Sequence, residues 1–299
     1  MTYRVGLLIS NPTASRNYEL LNALKKRGIE SKIIPIWKIM KHIDNSKNVS
    51  SSKYGSDDLF SYEMIFVLGF YTFSVSQLMY RSFILREAEE HGIRVVNSTY
   101  ALELTKNKAE MLLELARNGI KIPETYVTES IEEAFKIAEK IIPFVLKPIY
   151  GYGGKGVRLV TEMDRDYLLD LLKHESYLYG NGPLILQQYI KSDFDIRAFV
   201  LGDNVISSMK RFSPSEDFRT NIHVGGIPEK NDIDLEGIPE KVAKIAKIDF
   251  GGIDLIPDPN GTLYTLEVNS TPGWRGLQTV SDFSISERIA DWIFNELRK

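Results

Sequence analysis

The chain of 299 residues has no cysteine at all. Disulfides, zinc–thiolate centres and thiol nucleophiles are therefore excluded. Histidine is scarce, with four residues, and His42, His91 and His174 lie far apart without the spacing of metal ligands. Charge of one sign is also missing: 37 basic residues against 40 acidic ones leave a net charge of -3. That balance argues against a general electrostatic grip on nucleic acid, although a local basic pocket remains open. No apolar run approaches the roughly 20 residues of a membrane span. The longest, Met64 to Phe70, is soon broken by Thr72, Ser74 and Ser76 and reads as a buried strand. The first ten residues, MTYRVGLLIS, carry one basic residue and too short an apolar run for a signal peptide. A cytoplasmic protein with no membrane partner is the expectation. Internal repeats, low-complexity tracts, GxSxG and a Walker A loop are absent too.

What is present describes a globular chain, with 43% hydrophobic and 26% charged residues and length for two or three compact units. Residues 1–97 alternate apolar strands with helical patterns: Tyr3 to Ser10, Ser31 to Trp37, Met64 to Phe70 and Ile93 to Asn97 as strands, Tyr18 to Arg27 and Gln77 to His91 as helices. Such alternation predicts a parallel sheet covered by helices. No GxGxxG follows the first strand, which removes the usual dinucleotide site. The polar, Ser-rich stretch Ser46 to Asp58 reads as a mobile surface loop. Residues 98–189 form a second unit, with helices over Lys106 to Asn118, Ser130 to Lys140 and Asp164 to Lys173, and strands over Pro143 to Pro148, Val157 to Val160 and Leu184 to Ile190. Residues 190–299 are mostly hairpin strands with a closing helix, so the fold class is α/β passing into α+β towards the C-terminus.

Glu267 and Asn269 stand two apart in an apolar strand, so their side chains share a face. Asp254 lies on the partner strand. Three oxygen-bearing side chains converging on one spot suit Mg²⁺, which takes one or two carboxylates together with phosphate oxygens. A solvated polar face is the competing reading. Between two strands, Gly151, Gly153, Gly154 and Gly156 form a loop, GYGGKG, whose backbone can approach phosphate closely. A plain hairpin turn would look the same. Lys147, flanked by Leu146 and Pro148, should be partly buried and in need of an anionic partner. Lys108 on the preceding helix could add a second cation. Asp195 and Arg197 share one strand face; Lys210 and Arg211 end the neighbouring strand; Arg219, Asn221 and His223 follow in a loop. This cationic run could hold phosphate and a substrate carboxylate, or it could be a set of structural ion pairs.

In this order, the residues resemble the ATP-grasp superfamily and, within it, the RimK-like α-L-glutamate ligases. The similarity runs from about Val95 to the C-terminus. It is densest in Gln187-Gln188-Tyr189, Asp195-Ile196-Arg197, Phe218-Arg219-Thr220-Asn221 and Glu267-Val268-Asn269-Ser270-Thr271-Pro272-Gly273. The resemblance implies an ATP-grasp fold of three subdomains, with ATP between the central and C-terminal ones. It implies that Lys108, Lys147 and the glycine loop contact ATP phosphates and that Gln188 and Tyr189 line the adenine pocket. Asp195 would lie near the ribose, and Lys210 and Arg211 would be close by. Arg219 and Asn221 would reach the phosphoryl end, with Arg219 and Arg197 stabilising charge there. Asp254, Glu267 and Asn269 would hold two Mg²⁺ ions, with Mn²⁺ as an alternative. Relatives usually carry Glu where Gln188 stands. The turn Pro272 to Gly276, PGWRG, looks closer to the pterin and deazaflavin cofactor glutamate ligases than to the ribosomal-protein-modifying members, which tend to be acidic where Arg275 stands.

The implied activity is an ATP-dependent carboxylate–amine ligase that joins an amino acid, L-glutamate first, to a small or peptide-like acidic acceptor. Arg275, Trp274 and His223 are the candidate substrate contacts, and a homodimer or homotetramer is the implied assembly. Alternatives are an amino-carrier or peptide ligase of the same superfamily, and a non-catalytic nucleotide-binding regulator with this fold.

Overall fold

The computed structural model describes residues 3–44, 49–71, 74–151, 154–162, 164–213, 219–220 and 225–299. Its first region runs β1 (Arg4–Ile9), α1 (Ser15–Lys26), β2 (Glu30–Pro35), β3 (Met40–Asp44), β4 (Val49–Tyr54), β5 (Asp57–Asp58), β6 (Met64–Val67), α2 (Val75–Glu90) and β7 (Arg94–Val96). Four of these strands form a parallel sheet in the order β2-β1-β6-β7, as the alternation predicted. Leu7, Leu8, Phe66 and Val67 are wholly buried, because helices and the rest of the chain cover both faces. The Ser-rich stretch departs from expectation. Part of it forms β4 and β5, which join β3 in an antiparallel sheet; residues 45–48 lie outside the described residues. Ser51 and Ser52 are buried there. The Ser52 hydroxyl lies 3.4 Å from Glu87 Oε2, which also pairs with Lys41. Buried partners, not strand propensity, make this segment a strand, so composition alone misled.

The second region runs α3 (Thr99–Lys106), α4 (Lys108–Arg117), β8 (Thr125–Thr128), α5 (Ile131–Ile141), β9 (Phe144–Pro148), β10 (Arg158–Val160), α6 (Arg165–Leu178) and β11 (Leu184–Gln188). Its strands form an antiparallel sheet in the order β10-β9-β11-β8. Ala134, Phe135 and Ala138 of α5 and Leu168 and Leu172 of α6 cover it. Ser130 caps α5 by accepting from the Glu133 amide at 3.2 Å, and Asp164 caps α6 by accepting from the Tyr167 amide at 2.8 Å. Asn107 separates α3 from α4, capping the latter through the Glu110 amide at 3.3 Å. Both helices pack on the third region's core: Ala101, Leu104, Met111 and Leu115 meet Ile196, Val200, Ile253 and Val268.

That third region runs β12 (Phe194–Leu201), β13 (Asn204–Phe212), β14 (Ile227–Lys230), α7 (Ile238–Ala246), β15 (Phe250–Pro257), β16 (Leu263–Asn269), α8 (Arg275–Val280) and α9 (Ile285–Glu296). The strands form a five-stranded antiparallel sheet in the order β14-β13-β12-β15-β16. The chain then returns to the first region. Leu277, Ile285, Ile289 and Ile293 join Leu20 and Leu24 of α1 in one core, and Arg27 pairs with Glu287 at 2.6 Å and Asp291 at 2.7 Å.

Asn97, fully buried, ties the parallel sheet to the antiparallel one. Its Nδ2 donates to the carbonyls of Phe250 and Ser270 at 2.6 and 2.7 Å, and its Oδ1 accepts from the Asp249 and Phe250 amides at 2.8 and 3.0 Å. Asn97→Ala removes the partner of four backbone groups at a fully buried position. Each orphan costs about 1 kcal/mol or more, so the substitution should remove roughly 3 kcal/mol of stability or more. A urea titration reads this as a lowered midpoint with unchanged slope.

Candidate active site

β15 and β16 pair with Asp254 opposite Glu267 and Gly252 opposite Asn269, and the register shifts just after Asp254. β12 sets Arg197 opposite Asp254, and β13 sets Arg211 opposite Asp195. Directly opposed residues share a face, so three carboxylates, an amide and two guanidiniums line one side of the sheet. Arg197 donates from Nε and Nη2 to the two Asp254 oxygens, both at 2.6 Å. Arg211 donates to both Asp195 oxygens, at 2.7 and 2.5 Å, and its Nη2 lies 3.0 Å from Asp254 Oδ2. Asp195, Arg211 and Asp254 are all buried. Burial pushes the Asp254 carboxyl up, but Arg197 and Arg211 more than offset it and hold the pKa below the ordinary range. Burial likewise works against the Arg211 cation, and Asp195 and Asp254 more than restore it. The four groups form one charge-compensated network.

Across from this sheet stand the lysines. Lys147 on β9 is buried, and its Nζ donates to Gln187 Oε1 at 2.8 Å. Gln187 is held in turn by Thr125, 2.8 Å from its Nε2. Lys108, also buried, opens α4 and donates to the Gly151 carbonyl at 3.3 Å. Burial pushes the Lys147 ammonium down to about 8; Glu267 acts to raise it and Lys108 to lower it. Lys106, at the end of α3, is likewise pushed to about 8 by burial, then lowered by Lys108 and raised by Glu267. Three lysines from three elements, α3, α4 and β9, thus share one electrostatic neighbourhood with Glu267. Excess positive charge held out of water is a site prepared for an anion.

The glycine loop closes against the same neighbourhood. Gly154 and Gly156 take positive φ, 76° and 73°, which an L side chain rarely adopts. A Cβ on Gly156 would also lie 2.0 Å from the Tyr179 hydroxyl. Arg219 reaches back to the Gly154 carbonyl at 3.2 Å. A cleft of about 670 Å³ runs along β10 and the start of α6, where Arg158, Glu162 and Tyr167 line it, and shares Arg219 with this loop.

The structure brings together Lys108, Lys147, Gly151, Gly154, Gly156, Arg197, Asp254, Glu267 and Asn269, with Arg219 over the loop. It separates others. Lys210 points to the opposite face of β13, where it pairs with Asp232 and sits 5.0 Å from the Phe194 ring, so it does not converge with Arg211. Asp195 and Arg211 are committed to each other, which is the structural ion-pair reading. The Gln188 amide donates to the Glu124 carbonyl at 2.8 Å and its Oε1 accepts from the Glu124 amide; the buried partner of Lys147 is Gln187 instead. Tyr189 is partly buried beyond the end of β11. Trp274 is no substrate contact in this structure. It is 1% exposed, packs edge-on against Phe199 and Phe250, and donates to the Ser286 hydroxyl at 3.2 Å. Arg275 is exposed at the start of α8. Gly153, Asn221 and His223 lie outside the described residues. The sequence reading missed Gln187 and Lys106, although the Lys-Asn-Lys run at 106–108, straddling a helix cap, was a usable signal.

Among the described residues, no three Asp, Glu or His side chains group into a metal cage. Asp254, Glu267 and Asn269 supply two carboxylates and an amide oxygen, a hard-oxygen donor set that fits Mg²⁺ when phosphate supplies further oxygens.

The family model for the RimK-like ATP-grasp domain matches residues 105–293. The chain belongs to the RimK-like ATP-grasp family. It is 35% identical over 215 residues to the tetrahydromethanopterin:α-L-glutamate ligase of Methanocaldococcus jannaschii, covering 70% of this chain and 72% of that one. It is 28% identical over 297 residues to a protein of Methanococcoides burtonii named "Probable alpha-L-glutamate ligase", covering 97% and 95%. The RimK-like chain also shares its fold with the ATP-grasp ligase PsnB, solved with a minimal precursor, Mg and ADP: TM-score 0.72, 17% identity, 99% and 98% covered. The chain is thus an enzyme of the ATP-grasp ligase family, with an ATP-grasp fold of mixed helices and sheets.

Proposed function

We propose that this chain joins L-glutamate to the carboxylate of a small acidic acceptor, with ATP as the driving substrate. One observation carries the reading. Buried Lys108 and Lys147 and partly buried Lys106 share one electrostatic neighbourhood with Glu267, on the strand that also presents Asn269. A triphosphate would neutralise the lysines, and Asp254, Glu267 and Asn269 would hold Mg²⁺, as one or two ions, with Mn²⁺ able to replace it. When bound, the metal would offset negative charge on the phosphates. Gly151 to Gly156 would cover the phosphates and exclude water. Gln188 and Tyr189, beside β11, would border the adenine, and Arg219 and Asn221 would reach the transferred phosphoryl group.

The acceptor carboxylate attacks the γ-phosphorus and ADP leaves. The glutamate amine then attacks the acyl phosphate carbon, phosphate leaves, and the amine loses its proton. Negative charge grows on the transferred oxygens, where Lys147, Lys108 and Arg219 supply fixed positive charge. Arg197 would keep Asp254 ionised and oriented. No side chain is consumed, which suits a chain without cysteine. The proposed units are 1–97, 98–189 and 190–299, in a cytoplasmic homodimer or homotetramer. Val75, Met79, Tyr80 and Phe83, exposed by 63, 66, 41 and 40% along α2, support self-association.

A screen of the twenty amino acids against small acids, read as ADP release with product mass, tests the reading. L-glutamate with a pterin or deazaflavin acid should give the strongest signal. Arg275, exposed at the start of α8, favours an anionic acceptor over a basic one. Arg275→Glu should therefore raise KM for an acidic acceptor about tenfold, the value of one charge-assisted contact, with KM for ATP unchanged. An unchanged acceptor KM removes Arg275 from the site.

A further inference from the structure

The parallel sheet has its topological switch point between β1 and β6: β1 leads outward to β2 on one side, and β6 leads to β7 on the other. Crevices at the carboxyl ends of such strands are where open α/β sheets bind ligands. Arg16 stands there, as the second residue of α1, directly after the β1 loop. Its Nη2 donates to the Leu68 carbonyl, just past β6, at 2.6 Å, and its Nη1 donates to the Pro272 carbonyl, just past β16. The guanidinium carbon lies 5.4 Å from the Trp274 ring centroid. A Cβ on Gly273 would lie 3.5 Å from Arg16 Nη1, and one on Gly69 would lie 2.3 Å from the Ser10 hydroxyl. The loops around the crevice are therefore in close contact.

Charge makes Arg16 unusual. Among the described residues no carboxylate pairs with it, and its two recorded bonds go to neutral carbonyls. Burial alone pushes its pKa down to about 10, so it stays charged at neutral pH without a counter-ion. The first turn of α1 carries no acidic residue and Ala14 provides no side-chain cap, so the helix end adds positive potential rather than removing it. Buried Arg211, by contrast, has Asp195 and Asp254. A partly buried guanidinium with spare N–H groups is built for bidentate capture of an anion.

Arg16 also lies next to the proposed reaction site. A Cβ on Gly252 would be 3.3 Å from Pro272 Cβ and 3.3 Å from Arg197 Cδ and Nε. Pro272 therefore sits between Arg16 and the Arg197–Asp254 pair. Only Ser270 and Thr271 separate it from Asn269.

We propose that Arg16 is a specificity-determining residue that holds a non-reacting carboxylate of an acid substrate in the crevice between β1, β6 and the Pro272 turn. The proposal rests on the ligase reading for the substrate's identity but not for the binding itself. Two substrates of that reaction carry such a group: glutamate and the acidic acceptor. The alternative role is a strut, with Arg16 only tying Leu68 to Pro272.

Calorimetric titration of the full chain, saturated with Mg·ADP, separates these. L-Glutamate is the titrant in one arm and glutarate, standing in for an acidic acceptor, in the other. The wild-type chain should bind at least one, and the arm that binds names the source. Arg16→Gln should weaken that affinity ten- to a hundredfold, the range for a charged hydrogen bond. Arg16→Lys, which keeps the charge, should recover part of it. Affinity for Mg·ADP should not change in either variant. Binding of neither acid by the wild type, an unchanged affinity in Arg16→Gln, or a parallel loss of Mg·ADP affinity, as a strut would give, each overturns the proposal. Acid binding through Arg16 in a chain that shows no ligase turnover would keep this site and discard the ligase reading.

Discussion

Glu267→Gln should lower turnover by about a thousandfold or more while leaving the chain folded. The two side chains have nearly the same shape, and Glu267 is only partly buried on β16, so packing is little disturbed. What changes is charge. Glu267 is the carboxylate that acts on both Lys106 and Lys147, and it faces Asp254 across the strand pair. Its loss removes one anionic metal donor of a set with only two. A thousandfold fall corresponds to about 4 kcal/mol of transition-state stabilisation, within what a single electrostatic group supplies in a water-excluded site. Steady-state ADP release measures the fall, and the urea midpoint verifies the fold. Near-normal release would remove Glu267 from the metal site.

Lys147→Met should move stability and nucleotide affinity in opposite directions. Burial holds the Lys147 pKa near 8, against 10.5 in the unfolded chain. At neutral pH the ammonium is charged in both states, and its desolvation costs the native state on the order of 3 kcal/mol. Methionine fills similar space without that cost. It also leaves Gln187 Oε1 without its donor, worth roughly 1–2 kcal/mol. The net effect is a ligand-free variant about 1–2 kcal/mol more stable than wild type. Above pH 8 native Lys147 loses its proton before the unfolded chain does. Wild-type stability therefore rises relative to the variant as pH goes from 8 towards 10.5, and the gap should close there. ATP affinity, by contrast, should fall about a hundredfold at neutral pH, because the triphosphate loses a desolvated cation. Equilibrium dialysis and urea titrations at pH 7 and 10 check both. A variant that is less stable and binds ATP normally would make Lys147 an ordinary buried residue.

How much of this was legible in the sequence depends on distance along the chain. The shared face of Glu267 and Asn269 was legible because strand alternation sets it with no knowledge of the fold. Lys147 was legible because a lysine inside an apolar strand demands an explanation. The four strands of the first sheet were legible from apolar runs. The arginine network was not, since Arg197 meets Asp254 57 residues away. Residue type could not say that Arg211 serves Asp195 and Asp254, whereas strand alternation alone puts Lys210 on the face opposite Arg211. Trp274 was misread because it follows a Pro-Gly turn, and turns commonly lie at the surface. Here α8 and α9 fold back to the first region and the indole becomes part of the joint core. Arg16 had no local signal. Its meaning comes from Pro272, 256 residues away, and from its bonding to carbonyls with no ion pair among the described residues.

The proposed reaction passes through an acyl phosphate formed from the acceptor and attacked by glutamate. Its most direct test labels the acceptor carboxylate with heavy oxygen and follows the label during turnover with ATP, magnesium and L-glutamate. One labelled oxygen should appear in the released phosphate for each ADP formed, and the product should be the acceptor plus one glutamyl residue. Phosphate released without label, or ADP formed at the same rate without the acceptor, would contradict it.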